Sequence, residues 1–322
     1  MRFLVAGAGA VGAYIGALMA REGAEVVLFA RGPHYQAMKE NGVRVQTADD
    51  DFIVAPEVVD DLNKAGKADV VFLGVKAHSL VALAGQLEPV IGPDTVFVST
   101  QNGIPWWYFQ KHGGELEASH LESIDPGGVI SSAIDPDRVV GSIVYFSSEI
   151  TAPGVIRHIQ GKRISLGEPD GSRSDRIRAI AAALVQAGLR APITTRIRHE
   201  IWVKLLGNMS FNPISALTGA TIAEMLDHPD VASLVRKMME EVEMVAAAIG
   251  IDLPISIDKR LAGAAKVGAH KTSMLQDLET GRPIEIEALV GAVIELGQRV
   301  GVEMPYSRAV YAPTKLLAQR RQ

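Results

Sequence analysis

The sequence predicts an α/β protein, with an N-terminal parallel-sheet domain followed by an all-helical C-terminal domain. Three observations predict it. Short apolar runs alternate with helical segments through the first half of the chain, the pattern of a parallel sheet with crossover helices. A glycine motif sits between the first run and the first helix. Beyond about residue 172 only helical periodicity remains.

Residues 2–6 form the first apolar run and read as a buried strand. Gly7-Ala8-Gly9-Ala10-Val11-Gly12 follows as G-x-G-x-x-G and opens a helix over 10–22. In that strand–turn–helix setting the first glycine permits the tight turn. The second lets the backbone approach a pyrophosphate, and the third lets helix and strand pack closely. The free N–H groups of the helix start then hold the anion. Residues 7–12 are therefore assigned to a dinucleotide, and the N-terminal domain is of the Rossmann type. Strands are expected at 24–30, 68–75 and 95–100, with a helix near 79–90. Segments 139–148, 153–159 and 163–167 read as strands joined by turns, a more antiparallel edge of the sheet. Helices are expected over 173–187, 196–218, 228–250, 273–280 and 284–300. The change near Arg190-Ala191-Pro192 divides the chain into domains 1–194 and 195–322. Residues 104–137 fit neither pattern. They hold Trp106-Trp107-Tyr108-Phe109, read either as an element packing its aromatics on the domain or as a lid or subunit contact. The packed reading is favoured, because long unstructured loops are rare.

Composition narrows the function. The 322 residues are 48% hydrophobic and 21% charged, with a formal net charge of −5. That is ordinary for a globular protein and argues against a broad basic surface for nucleic acid or anionic membranes. There is no cysteine, so thiolate catalysis, disulfides and Cys-ligated zinc are excluded. No metal site is expected, since His199-Glu200 is not continued as H-E-x-x-H. With no signal-peptide pattern and no long apolar span, a cytoplasmic location is expected. Oligomeric state is left as monomer or homodimer.

The second expected strand ends Phe29-Ala30-Arg31-Gly32. NAD enzymes usually place a carboxylate there for the ribose hydroxyls. A guanidinium suits a 2′-phosphate instead, which predicts NADPH. Lys76 and Asn102, the latter in Asn102-Gly103, lie at carboxyl ends of parallel strands, where open α/β sheets bind ligands. In the helical half, Lys204, Asn208 and Asn212 are spaced i, i+4, i+8 and share one helix face. Asn is a weak helix former, so such a stripe on an otherwise apolar helix points to a cleft lining. Ser273 and Gln276 have capping-box spacing, which makes Ser273 a candidate N-cap. Glu285 is expected at the start of the next helix, where an acid complements the dipole.

Together these residues resemble the ketopantoate reductase family, which combines the glycine motif, a Lys after the fourth strand and Asn-Gly after the fifth. The family continues with W-x-K-L-x-x-N-x-x-x-N-P, here Trp202 to Pro213, and S-M-L-Q-D, here Ser273 to Asp277, followed by an acidic residue, here Glu285. The resemblance implies NADPH-dependent reduction of 2-dehydropantoate (ketopantoate) to pantoate, a step of pantothenate biosynthesis. It implies Lys204 as general acid and Glu285 as the group that orients substrate and lysines. It further implies that Asn208, Asn212 and Ser273 bind the keto acid, and that Lys76 and Asn102 contact cofactor and substrate. Two positions depart from the pattern: Ile222 and His270 stand where members often carry asparagine. Ile222 and the aromatic stretch Trp106–Phe109 favour, as the alternative, another branched or bulky 2-oxo acid reduced by the same mechanism. A non-catalytic NADP-binding regulator is disfavoured by the presence of both Lys204 and Glu285.

Overall fold

The computed structural model describes residues 1–321 and divides them into two compact units. The first comprises Met1–Gln101, Trp107–Ser119 and Gly127–Ile197; the second comprises Asn102–Trp106, His120–Pro126 and the chain from Arg198 onward. The two short segments of the second unit interrupt the stretch 104–137, which fits neither periodic pattern.

In the first unit, β1 (Arg2–Ala6), α1 (Ala10–Arg21), β2 (Glu25–Phe29) and α2 (Gly32–Asn41) come first. They are followed by β3 (Val43–Gln46), β4 (Asp51–Val54), β5 (Glu57–Val59), β6 (Ala68–Leu73), α3 (Ala77–Ala84) and β7 (Ile91–Ser99). Then come α4 (Val129–Ala133), β8 (Val139–Val144), β9 (Ser147–Ala152), β10 (Val155–Gln160), β11 (Ile164–Gly167) and α5 (Asp175–Gln186). The seven-stranded sheet runs β11-β8-β7-β6-β1-β2-β5. β1 lies between β2 and β6, both parallel to it, with Val5 opposite Leu28 and Phe72. Strands covered on both faces must be apolar where they are covered, which is why Phe3–Ala6, Val26–Phe29 and Val70–Leu73 are unbroken hydrophobic runs.

The expected antiparallel edge is only partly present. β11 is antiparallel to β8, but β8 pairs parallel with β7. β9 and β10 leave this sheet and join β3 and β4 in a four-stranded sheet of order β4-β3-β10-β9. β3 and β4 alternate buried or half-buried residues with exposed ones over only four positions each, and one exposed residue of β4 is Ile53, so the signal is too short and mixed to stand out. The helix expected over 79–90 ends at Gly85, and Glu88–Val90 form one separate 3₁₀ turn. Trp106, Trp107, Tyr108 and Phe109 are all buried. The Trp107 indole donates to Ser99 Oγ at 2.7 Å, and its ring lies against the open side of Gly141. Buried aromatics offer no surface for a lid or a subunit contact, so the packed reading stands.

The second unit contains α6 (Ile197–Thr218, from Arg198), α7 (Ile222–Asp227), α8 (Pro229–Ala248), α9 (Ile257–Ala265), α10 (Ser273–Glu279), α11 (Ala292–Arg299) and α12 (Pro305–Arg320), with no strand among its described residues. α8 buries Val235, Met238, Met239, Val242, Val245 and Ala246, a three-and-four spacing that lines one face. The carboxylate of Glu241, also buried, accepts the N–H groups of Tyr306 and Ser307, each at 2.8 Å. It thus satisfies the first turn of α12 and fixes where that helix starts. Among the described residues no helix is long and apolar enough to cross a membrane.

Candidate active site

The glycine motif joins β1 to α1. Gly7 has φ +110°, and a side chain there would meet Val75 Cγ1 at 2.5 Å and Val75 N at 2.6 Å. A side chain at Gly12 would collide with the Gly7 carbonyl and the Val5 side chain. Gly9 has nothing within 4 Å of where its Cβ would stand. The Ala8 N–H is held by the Phe29 carbonyl at 2.8 Å, and the Ala13 N–H by Gly9 at 2.8 Å. The loop is therefore tied down on its inner side and open at Gly9. The N–H groups of Ala10, Val11 and Gly12 precede the first intrahelical bond and have no helical acceptor of their own. An anion fits that cradle.

Arg31 is exposed and caps α2 in an extended conformation, its guanidinium 5.6 Å from the Phe29 ring centre. No carboxylate ends β2. Lys76 occupies the N-cap of α3, at the carboxyl end of β6. Sequence reasoning missed what organises that end. The Gln101 amide donates to the carbonyls of Leu73 (2.7 Å) and Val75 (2.9 Å), and the Thr100 hydroxyl donates to Leu73 at 2.7 Å. These bonds replace ladder partners where β6 and β7 stop, next to Lys76. A polar Thr-Gln pair directly after an apolar strand was the available signal.

In the second unit the structure brings three of the predicted residues together. The Lys204 ammonium donates to Asn102 Oδ1 at 2.7 Å, and Asn102 Nδ2 donates to Glu285 Oε2 at 3.5 Å. Burial lowers the Lys204 ammonium from 10.5 to about 8, against the charge of Glu285, which acts to raise it. A lysine so placed is a competent proton donor near neutral pH. One turn further along α6 on the same face is Asn208, then Asn212, whose amide donates to Ser273 Oγ at 3.5 Å.

Two local expectations are corrected. Thr272, not Ser273, caps α10, because its hydroxyl accepts the Leu275 N–H at 3.3 Å. Ser273 is the first helical residue, and its hydroxyl is left to meet Asn212. Glu285 does not lie within the next helix but just ahead of it, its carbonyl accepting the Leu289 N–H at 3.1 Å.

The chain as a whole is similar to known proteins. The family model "Ketopantoate reductase PanE/ApbA" matches residues 3–171, and "Ketopantoate reductase PanE/ApbA C terminal" matches residues 196–318. The chain is 47% identical to the 2-dehydropantoate 2-reductase of Mesorhizobium japonicum over 322 residues, 100% of this chain and 99% of that protein. A crystal structure from Ralstonia solanacearum, assigned as a ketopantoate reductase, superposes with TM-score 0.95 at 40% identity, covering 99% of this chain and 98% of that one. The crystal structure of 2-dehydropantoate 2-reductase from Methylococcus capsulatus gives TM-score 0.84 at 32% identity, covering 100% and 98%. Reductases of this kind use a nicotinamide cofactor, and the open glycine loop fits one. With both family models matched over most of its length, the chain belongs to the ketopantoate reductase family.

Proposed function

We propose that this protein is the 2-dehydropantoate 2-reductase of its cell: it reduces ketopantoate to pantoate with NADPH. The observation that carries the reading is the Lys204–Asn102–Glu285 chain, a desolvated ammonium held by an amide beside a carboxylate, in a chain of this family.

The reaction moves a hydride to the ketone carbon and a proton to the ketone oxygen. When bound, NADPH supplies the hydride. Lys204 hydrogen-bonds the ketone oxygen, stabilises the negative charge that grows there, and gives it the proton. Such acid catalysis contributes ~10²–10⁴-fold. Asn102 accepts from Lys204 and thereby aims one of its protons. Glu285 orients Asn102 and opposes the effect of burial on the lysine. Asn208, Asn212 and Ser273 hold the keto acid, with Ser273 Oγ and Asn212 Nδ2 already turned toward each other. In the first unit, residues Gly7–Gly12 cradle the pyrophosphate, Arg31 takes the 2′-phosphate, and Lys76 contacts the nicotinamide end. The test is NADPH oxidation with a panel of 2-oxo acids. Ketopantoate is expected to give the highest kcat/KM; a regulator would give no turnover with any of them.

The choice of NADPH rests on Arg31. Arg31→Asp is expected to reduce or reverse the preference over NADH, because a carboxylate repels a 2′-phosphate and suits the free hydroxyls. Steady-state kinetics with both cofactors check this. Equal efficiency of the parent enzyme with the two would count against the assignment.

A second reading, a broader range of branched 2-oxo acids, is favoured by one contact. The Ile222 N–H donates to the His270 carbonyl at 3.1 Å, so the two residues that depart from the family pattern are neighbours. An isoleucine in place of an amide removes a partner for a substrate hydroxyl. Sites discriminate strongly only when their own polar group would be left unpaired. Ketopantoate and its deoxy analogue are therefore expected to differ by no more than ~10²-fold in kcat/KM. A ratio near ~10⁴ would show that the His270 side chain or Asn212 reads the hydroxyl instead.

A further inference from the structure

Between Glu285 and α11 the chain makes one wide turn. Residues Glu287–Gly291 are π-helical before the α-helix resumes. Such turns shift the register of everything on either side and recur at functional sites. Two sets of contacts hold this one, both within the second unit.

On one side is a cluster the reaction does not use. Glu287 accepts the Tyr311 phenol proton at 2.7 Å and pairs with Lys315 at 2.9 Å, and Lys315 donates to the Tyr311 oxygen at 2.9 Å. Both partners are on α12, whose start is fixed by Glu241. Gly291 makes room, because a Cβ there would stand 2.5 Å from Glu287 Oε2. On the other side the Ala288 carbonyl presses on Gly103. Gly103 has φ +87°, and any side chain there would collide with that oxygen. The same carbonyl accepts the Ile104 N–H at 3.4 Å. Gly103 directly follows Asn102, the residue that holds the Lys204 ammonium.

We infer that Glu287, Tyr311 and Gly291 are positioning residues for the Lys204 acid: they set the wide turn, and its Ala288 carbonyl fixes the Asn102–Ile104 loop. The inference rests on the reading of Lys204 as the proton donor. The Glu287–Lys315 pair is about two-fifths exposed on each partner. Exposed ion pairs contribute little to stability. Loss of the cluster should therefore appear in the rate, not in the thermal midpoint. Small misplacements of a catalytic group can cost orders of magnitude in rate.

The experiment compares Glu287→Ala, Glu287→Gln and Tyr311→Phe with the parent enzyme, in amide exchange at Ile104 and in steady-state kinetics. Glu287→Ala is expected to speed exchange at Ile104 and to lower kcat by about 10-fold, with KM for NADPH and the thermal midpoint unchanged. Glu287→Gln keeps an oxygen for Tyr311 and should recover most of the rate. Tyr311→Phe removes one hydroxyl without changing shape, and it decides the matter if Glu287→Ala does not fold. Unchanged Ile104 exchange together with kcat within about twofold of the parent in these variants would overturn the inference, as would a fall in thermal midpoint with no change in kcat. Exchange needs no substrate, so it judges the positioning role by itself. Failure to turn over ketopantoate would strike the proposed function alone.

Discussion

Lys204→Ala is expected to lower the rate of ketopantoate reduction by ~10²-fold or more, the usual worth of a general acid. The loss should fall on the chemical step. Lys204 donates to Asn102 in the helical unit, whereas the glycine loop and Arg31 belong to the first. NADPH affinity, read by fluorescence titration, should therefore change little. Stability should hold as well. A lysine lowered from 10.5 to about 8 by burial is one whose charged form folding disfavours, at a cost of about 3 kcal/mol below pH 8. The sign follows from linkage: with the folded value below the unfolded one, this residue opposes folding while charged, and the cost disappears as pH rises. Removal of the charge offsets the loss of the Asn102 contact, and alanine is the better helix former. A variant that keeps its rate but loses NADPH would make Lys204 an anchor and leave Lys76 as the next candidate for the acid.

The second large effect is expected at Gly12. Its Cβ would collide with the Gly7 carbonyl in the turn after β1 on one side and with Val5, buried within β1, on the other. Neither atom lies at the end of a flexible chain, so the methyl of Gly12→Ala must push α1 away from the loop. Overpacking of this kind costs ~1–3 kcal/mol. Here it falls on the geometry that presents the N–H groups of residues 10–12, so NADPH affinity should fall by roughly 5- to 100-fold. The check is the same fluorescence titration with Gly9→Ala as the control. Gly9 opens on empty space, so a methyl there would meet no protein atom, only the cofactor that the loop is proposed to hold. Both variants should weaken binding, but only Gly12→Ala should also lower the thermal midpoint. Unaltered affinity in Gly12→Ala would mean that the loop does not carry the pyrophosphate.

The legible parts of the sequence are those where one residue type serves one physical need. Phe3–Ala6 of β1 and Val70–Leu73 of β6 are buried and read as unbroken apolar runs. Gly7 and Gly12 stand where no Cβ fits. Lys204, Asn208 and Asn212 share a helix face by spacing alone. What could not be read depends on contacts distant in sequence. Asn102 follows β7, a place in the sequence that assigns it to the sheet domain; its loop belongs to the helical unit, where the Ile104 N–H donates to Ala288, far along the chain. β9 and β10 look like any hairpin, and only their pairing with β3 separates them from the main sheet. Thr272 and Ser273 are equally good caps in isolation, and the contact of Ser273 with Asn212 distinguishes them. The wide turn at Glu287–Gly291 could not be read locally, because the partner of Glu287, Tyr311, lies on α12.

The most direct test of the central claim is the pH dependence of kcat/KM for ketopantoate at saturating NADPH, in the parent enzyme and in Lys204→Ala. Reduction needs the protonated lysine, which burial lowers to about 8. The parent profile should be level on the acid side of that value and fall by about tenfold per pH unit above it. Pantoate oxidation, which needs the neutral amine, should rise over the same interval. Lys204→Ala should show neither inflection. A parent profile that stays level up to the ordinary lysine value of 10.5, or an inflection near 8 that survives in Lys204→Ala, would contradict the assignment of Lys204 as the acid.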